Sequence, residues 1–219
     1  MKTKRKLNLF ILALLCLLTS TANILAQYPP IDIPDGYQST PLSDEETLVD
    51  SFLMKGESAL TNSPNTENLT SSAQIVGGSN LIDQAQANQI AGYLNGGSVT
   101  LTRIFSKTQG DGKVAPDFHA AADNQGRTIT VYRVQYNGQQ YLIGGYNPQS
   151  WNSSSSYNMT PNDADRTAFL FNLTSDFVQR QKLNNDPSCP GCGQYQTYNY
   201  NGYGPTFGGG HDLYSDYSL

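Results

Sequence analysis

The stretch "RTITVYRVQYNGQQYLIGGY", residues 127–146, constrains the fold of this chain more than any other. Its first half is rich in β-branched and aromatic residues and reads as a strand. Asn137 and Gly138 both tolerate positive φ, so they form a two-residue hairpin turn that returns the second half as an antiparallel partner. Other strand signals surround the hairpin. "SVTLTRIFSKT" (98–108) is β-branched and partly alternating, and "AFLFNL" (168–173) is a near-continuous apolar run expected of a buried strand. "GQYQTYNYNGYGPTFGGGHDLY" (193–214) joins a tyrosine-rich strand to a glycine-rich corner.

Helical signals are fewer. In "GGSNLIDQAQANQIAGYLNGG" (77–97), Ser79 or Asn80 is the expected cap, Asp83 suits the first turn, and Gly96 the left-handed end. Ile82, Ala85, Ile90, Tyr93 and Leu94 then share one side. "PDFHAAAD" (116–123) makes a second short helix with Pro116 at its start. Short strands outnumber helices, so the fold class is mainly β with flanking helices: a two-sheet antiparallel β-sandwich. Trp151 and Phe169 are expected core residues.

The N-terminus has a different character. "KTKRK" (2–6) precedes the uncharged, largely apolar "LNLFILALLCLLTSTANILA" (7–26), the pattern of a secretory signal peptide over residues 1–26. Cleavage would leave a mature chain starting near Gln27, without a membrane span, secreted or periplasmic. Leu15 is too large for a lipid-modified Cys16. Residues 27–78 read as a proline-rich, acidic lead-in, extended or disordered. Within it "SDEETLVDSFLMKGESAL" (43–60) is expected to make one short helix, capped by Ser43 with Glu46 three residues on. The ordered domain is expected over 79–219.

Charge and motifs exclude several functions. The chain carries a net charge of −5, against the clustered positive footprint that nucleic acid requires. Cys189 and Cys192, in "CPGC", are the only cysteines beyond the apolar leader. In an oxidising compartment they are a disulfide candidate; a redox pair would sit at a helix N-terminus, and a zinc half-site needs a second pair. "TQGDGKV" offers one carboxylate where a calcium loop wants several. His119 lies between Asp117 and Asp123, yet at helical spacing the three do not share one clean face, which favours a packed structural histidine. Gly208, Gly209 and Gly210 lack the Lys-Ser/Thr ending of a phosphate loop, and no nucleophile elbow is present. Asn68, Asn152, Asn158 and Asn172 head glycosylation sequons.

Four blocks in order carry a family likeness: "GDGKVAPDFHAAADNQGRTITVYRV", "LIGGYNPQSW", "AFLFNL" and "YGPTFGGGHDLY". Over roughly residues 80–219 the chain resembles the TLDc domain, known from eukaryotic oxidation-resistance proteins and from exported bacterial proteins. The residues carrying the motif are His119, Asp123, Gly126, Gly144, Gly145, Trp151, Gly208, Gly209, Gly210 and Asp212. The resemblance implies a two-sheet sandwich with helices, and a structural corner at 208–210 tied down by His211 or Asp212. It brings no catalytic residues, cofactor or metal. Eukaryotic members are linked to oxidative-stress protection and to the vacuolar proton pump, a cytosolic partner that export would separate from this chain.

The leading functional expectation is therefore an exported, non-enzymatic module that binds a protein or a cell-envelope component. An enzyme using His119 or His211 with nearby Asp residues is the alternative, as is a thiol-redox role for the CPGC pair. Only "YSDYSL" follows "FGGGHDL", where the TLDc pattern continues further. Hence the chain is expected either to be a C-terminal truncation or to fill a vacant strand position from residues 27–75 or from a second chain.

Overall fold

Strands form the body of the molecule across the residues described by the computed structural model, 48–55, 71–95, 97–184 and 192–219. The longest pairing is the sequence-predicted hairpin. β4 (Thr128–Tyr136) and β5 (Gln139–Asn147) stay in register from Thr128↔Asn147 to Tyr136↔Gln139. The turn places Asn137 at φ 49° and Gly138 at φ 76°, both in the left-handed region that matches strand twist.

The hairpin lies within a seven-stranded sheet of order β2-β3-β1-β4-β5-β7-β8. Its other members are β1 (Leu48–Lys55), β2 (Ser72–Val76), β3 (Ser98–Lys107), β7 (Phe169–Asn172) and β8 (Phe177–Arg180). Every pair is antiparallel except β2 with β3. Those two are joined through helix α1 (Gln84–Tyr93), the long crossover that parallel neighbours need. A second sheet runs β11-β10-β9-β6: Leu213–Tyr214, Thr206–Phe207, Tyr195–Asn199 and Ser156–Met159. The mainly β, two-sheet class read from the sequence is the observed one.

Two expectations about the lead-in are overturned. Leu48–Lys55 is a strand, not part of a helix, and it is central, paired with β3 on one side and β4 on the other. Ser72–Val76 is likewise an edge strand of this sheet. The capping signal was local, whereas burial of Val49, Phe52 and Met54 between two partner strands is a tertiary gain that outweighs it. Ser43 and Glu46 lie outside the described residues, as do 27–42.

Helix α1 is capped differently from the expectation. Asp83, rather than Ser79 or Asn80, accepts from Gln86 N, and Gln86 answers by accepting from Asp83 N, closing a capping box. Ser79 is otherwise engaged: its hydroxyl donates to the buried Asp50 of β1 at 2.8 Å and accepts from Leu81 and Ile82 N. At the C-terminal end Asn95 takes the positive φ, 67°; Gly96 lies outside the described residues.

One core forms between α1 and the large sheet, with Phe52, Ile90, Leu101, Ile129, Tyr146, Phe169 and Phe171 buried in it. A second fills the opposite face. There Phe105 of β3 meets Phe118 edge-on at 5.7 Å, Phe118 meets Trp151 at 5.5 Å, and Trp151 meets Phe207 of the small sheet at 5.4 Å. Tyr132 crosses the same layer and donates its hydroxyl to Pro205 O at 2.8 Å. Both expected core residues are buried, Trp151 in the second core and Phe169 in the first.

The turn after β3 is organised by Asp111. Burial on its own would raise this carboxyl, but Thr108 N, Lys113 N and the ammonium groups of Lys113 and Lys107 outweigh it and hold the pKa at about 2. A depressed carboxylate stabilises above its unfolded value and loses that contribution as pH falls through the folded one. Asp111→Asn is therefore expected to remove part of the stability drop between about pH 4 and pH 2. Solvent screening keeps the effect under about 1 kcal/mol. Urea midpoints measured across that range check it; identical pH profiles would contradict it.

Candidate functional site

The motif residues 117–126 form helix α2 (Ala115–Ala122) and its exit. Pro116 begins the helix, and Asp117 closes the first turn by accepting from Val114 N at 2.8 Å. Asp123 ends the helix with extended backbone, φ −64° and ψ 136°. Its N–H still donates to His119 O at 2.9 Å, so its carboxylate keeps the i, i+4 position beside the ring one turn back.

His119 and Asp123 meet as i, i+4 neighbours on a helix do, while Asp117 stays apart, so the three do not converge on one face. The distance from His119 Nδ1 to Asp123 Oδ1 is 2.7 Å. On the other side His119 Nε2 faces Tyr203 O at 3.1 Å. The ring itself is 2 % exposed. Asp123 is equally committed: its second oxygen accepts from Ser153 N at 2.9 Å and from Ser153 Oγ at 2.6 Å. Asn124 N adds a bond to Trp151 O at 2.9 Å. Asp117, by contrast, takes no part.

The Trp151 loop is thus held to α2, and α2 to the small-sheet side. Trp151 Nε1 donates to Thr128 Oγ1 at 2.8 Å, and Gly126 N donates to Ser150 Oγ at 2.9 Å. His119, Asp123, Ser153 and the Tyr203 carbonyl make a continuous staple across segments far apart in sequence. Asp123→Ala leaves three donors without their acceptor, one of them on a buried ring. It is expected to cost about 2 kcal/mol. Asp117→Ala should cost less than about 1 kcal/mol, since it removes only an exposed capping bond. Equal losses for the two variants in chemical denaturation would argue against the staple.

Two adjacent glycines of β5 serve opposite faces of the sheet. A Cβ on Gly144 would lie 2.1 Å from Thr130 O and 2.4 Å from Phe171 Cζ, whereas one on Gly145 would lie 2.7 Å from the Phe207 ring. Gly145 therefore lets the two sheets approach. At the closing corner Gly208 has φ 81°, and a side chain there would strike the Asp212 carboxylate at 2.1 Å. His211 N closes the turn on Gly208 O at 3.2 Å. A Cβ on Gly209 would lie 3.0 Å from Tyr195 Cβ, while one on Gly210 would meet nothing nearer than Asp212 Oδ1 at 3.8 Å.

His211 is separate from the staple and stacks on Tyr198, 5.1 Å between centroids and 25° between planes. Sequence reasoning read this region as a tyrosine-rich strand and a glycine-rich corner but drew no surface from Tyr195, Tyr198, Tyr200 and Tyr203. Cys189 lies outside the described residues, as does the side chain of Cys192, and so does the expected disulfide. Asn158 and Asn172 are 9 % and 1 % exposed, so their sequons do not accept a glycan in this fold; Asn68 lies outside the described residues. Among the described residues no group of three or more His, Cys, Asp or Glu is placed to hold a metal ion, and no helix is long and apolar enough to cross a membrane.

The geometry defines a two-sheet β-sandwich whose motif histidine and aspartate tie α2 to the Trp151 loop and to Tyr203. The family model described as the TLDc domain matches residues 75–219, and the chain belongs to that family. β1 precedes the matched span yet supplies a central strand of the same sheet. No curated protein matches the chain, and no solved structure does.

Proposed function

We propose that this TLDc-domain protein is exported and acts as a non-enzymatic interaction module, holding a protein or another component of the cell envelope. The observation that carries this reading is the commitment of the motif's polar groups. Both nitrogens of His119 and both oxygens of Asp123 are engaged within the fold, and the ring is buried. A general base must reach a substrate proton, and these atoms are turned inward instead. The basic residues 2–6 and the apolar run 7–26 support export. The oxidative-stress association of the family supports a protective setting for such a module.

The test is retention of a native envelope fraction on the immobilised mature chain, with crosslinking to identify what is held. Saturable capture of a defined component is expected. A turnover abolished by His119→Gln, in a variant whose melting curve is unchanged, would overturn the reading.

A further inference from the structure

The outer face of the small sheet is built of tyrosines. Tyr157 of β6 stands opposite Tyr198 of β9 in register, with ring centroids 4.8 Å apart. Tyr195 lies 5.1 Å from Tyr157, extending the group along β9. Beyond the strand, Tyr200 and Tyr203 meet at 5.2 Å, and Tyr203 reaches Tyr214 of β11 at 5.7 Å. His211 is packed among Tyr198, Tyr203 and Tyr214. The inward residues of the same strands, Gln196, Thr197 and Phe207, are buried, so the rings occupy the side away from the core. Tyr195 and Tyr200 are 38 % and 42 % exposed, high values for side chains of that size. A contiguous exposed aromatic group of this kind marks a contact surface.

Charge narrows what it contacts. The hydroxyls of Tyr157 and Tyr214 are raised above the ordinary tyrosine range, first by burial and then by neighbouring tyrosines and by Asp212 or Asp216. They are neutral donors at physiological pH. Asp212 is exposed as a residue, yet its carboxyl rests against Gly208; that partial burial raises it, while His211 and Lys182 act in the opposite direction. Lys182 already acts on this carboxylate, which weakens the case for a cationic ligand. A polyanion meets Asp212, Asp216 and a net charge of −5. The cations found over rings among the described residues, Lys113 on Phe105 and Arg180 on Phe169, lie elsewhere. What remains complementary is an uncharged ligand with flat C–H faces for the rings and hydroxyl edges for the phenols. Pyranose sugars have both.

We propose that this face binds a neutral polysaccharide, with sugar rings lying on the exposed Tyr195 and Tyr200. The proposal rests on the interaction-module reading and names the chemistry of what the module holds. Tyrosine suits the task, presenting a large amphipathic surface with only two side-chain torsions to order.

The experiment is sedimentation of the mature chain with microcrystalline cellulose and with chitin, and affinity electrophoresis in mixed-linkage β-glucan and in polygalacturonate. Retention by at least one neutral polymer and not by the anionic one is expected. The double variant Tyr195→Ala/Tyr200→Ala should weaken that binding by about tenfold or more, the scale of a lost aromatic anchor. Its exposed positions leave the core intact, which circular dichroism and a melting curve verify; Tyr200→Phe should retain most of the binding. Absence of retention on all three neutral polymers, or unchanged affinity in the folded double variant, overturns the proposal. Capture of an envelope protein without any neutral glycan would overturn the polysaccharide alone and leave the module reading standing. Capture of nothing from the envelope would defeat that reading as well.

Discussion

Gly144→Ala is expected to destabilise the protein by roughly 3–5 kcal/mol, far more than one added methyl group ordinarily does. The reason is where the methyl would lie: 2.1 Å from Thr130 O and 2.4 Å from Phe171 Cζ. The first neighbour is backbone of the adjacent strand, so no rotamer change relieves the contact. Gly144 pairs with Val131 on one side and Phe171 on the other, and moving it strains both ladders. Gly92→Ala provides the contrast. Gly92 is an exposed residue of α1 with nothing within 4 Å of an added Cβ, so alanine there should stabilise by up to about 1 kcal/mol. Urea unfolding of both variants decides the matter; a Gly144→Ala protein within 1 kcal/mol of wild type, a bound set by the ordinary overpacking range, would refute the account.

Trp151→Ala should lose about 3–5 kcal/mol as well, through a cavity instead of a clash. Trp151 is wholly buried between the edges of Phe118 and Phe207, and therefore between α2 and the small sheet. Truncation also leaves the buried Thr128 Oγ1 without its indole donor. For a domain of this size the loss corresponds to a melting temperature lower by roughly 10 °C. Trp151 is the sole tryptophan, so the variant must be followed by circular dichroism rather than intrinsic fluorescence. A melting temperature within a degree or two of wild type would show that the two sheets do not depend on this side chain.

The candidate site was legible in part. His119 and Asp123 stand out in the sequence, and their four-residue spacing, about one helical turn, is what brings the carboxylate to the ring. The other half of the staple was not readable. Tyr203 O is 84 residues from His119, and Ser153 is 30 from Asp123. No local pattern announces a carbonyl acceptor supplied by a distant loop.

The same division runs through the fold. Where one short segment carries its own physical instruction, the sequence alone determined the outcome. Asn137-Gly138 dictates a tight hairpin through positive φ, Pro116 starts α2, and the apolar run at 168–173 makes a buried strand. Where competing local signals were close in free energy, tertiary structure decided. "LVDSFLMK" holds Asp50 and Ser51 among its apolar residues and lies close after a capping signal, so nothing local requires a strand. It becomes one because β3 and β4 leave a place between them. There its backbone finds partners on both edges, Asp50 accepts from Ser79 and Asn80, and Ser51 meets Thr130 Oγ1 at 3.0 Å. The tyrosine face was decided in the same way. Tyr157 and Tyr198 are distant in sequence, and only the antiparallel pairing of β6 with β9 sets their rings side by side.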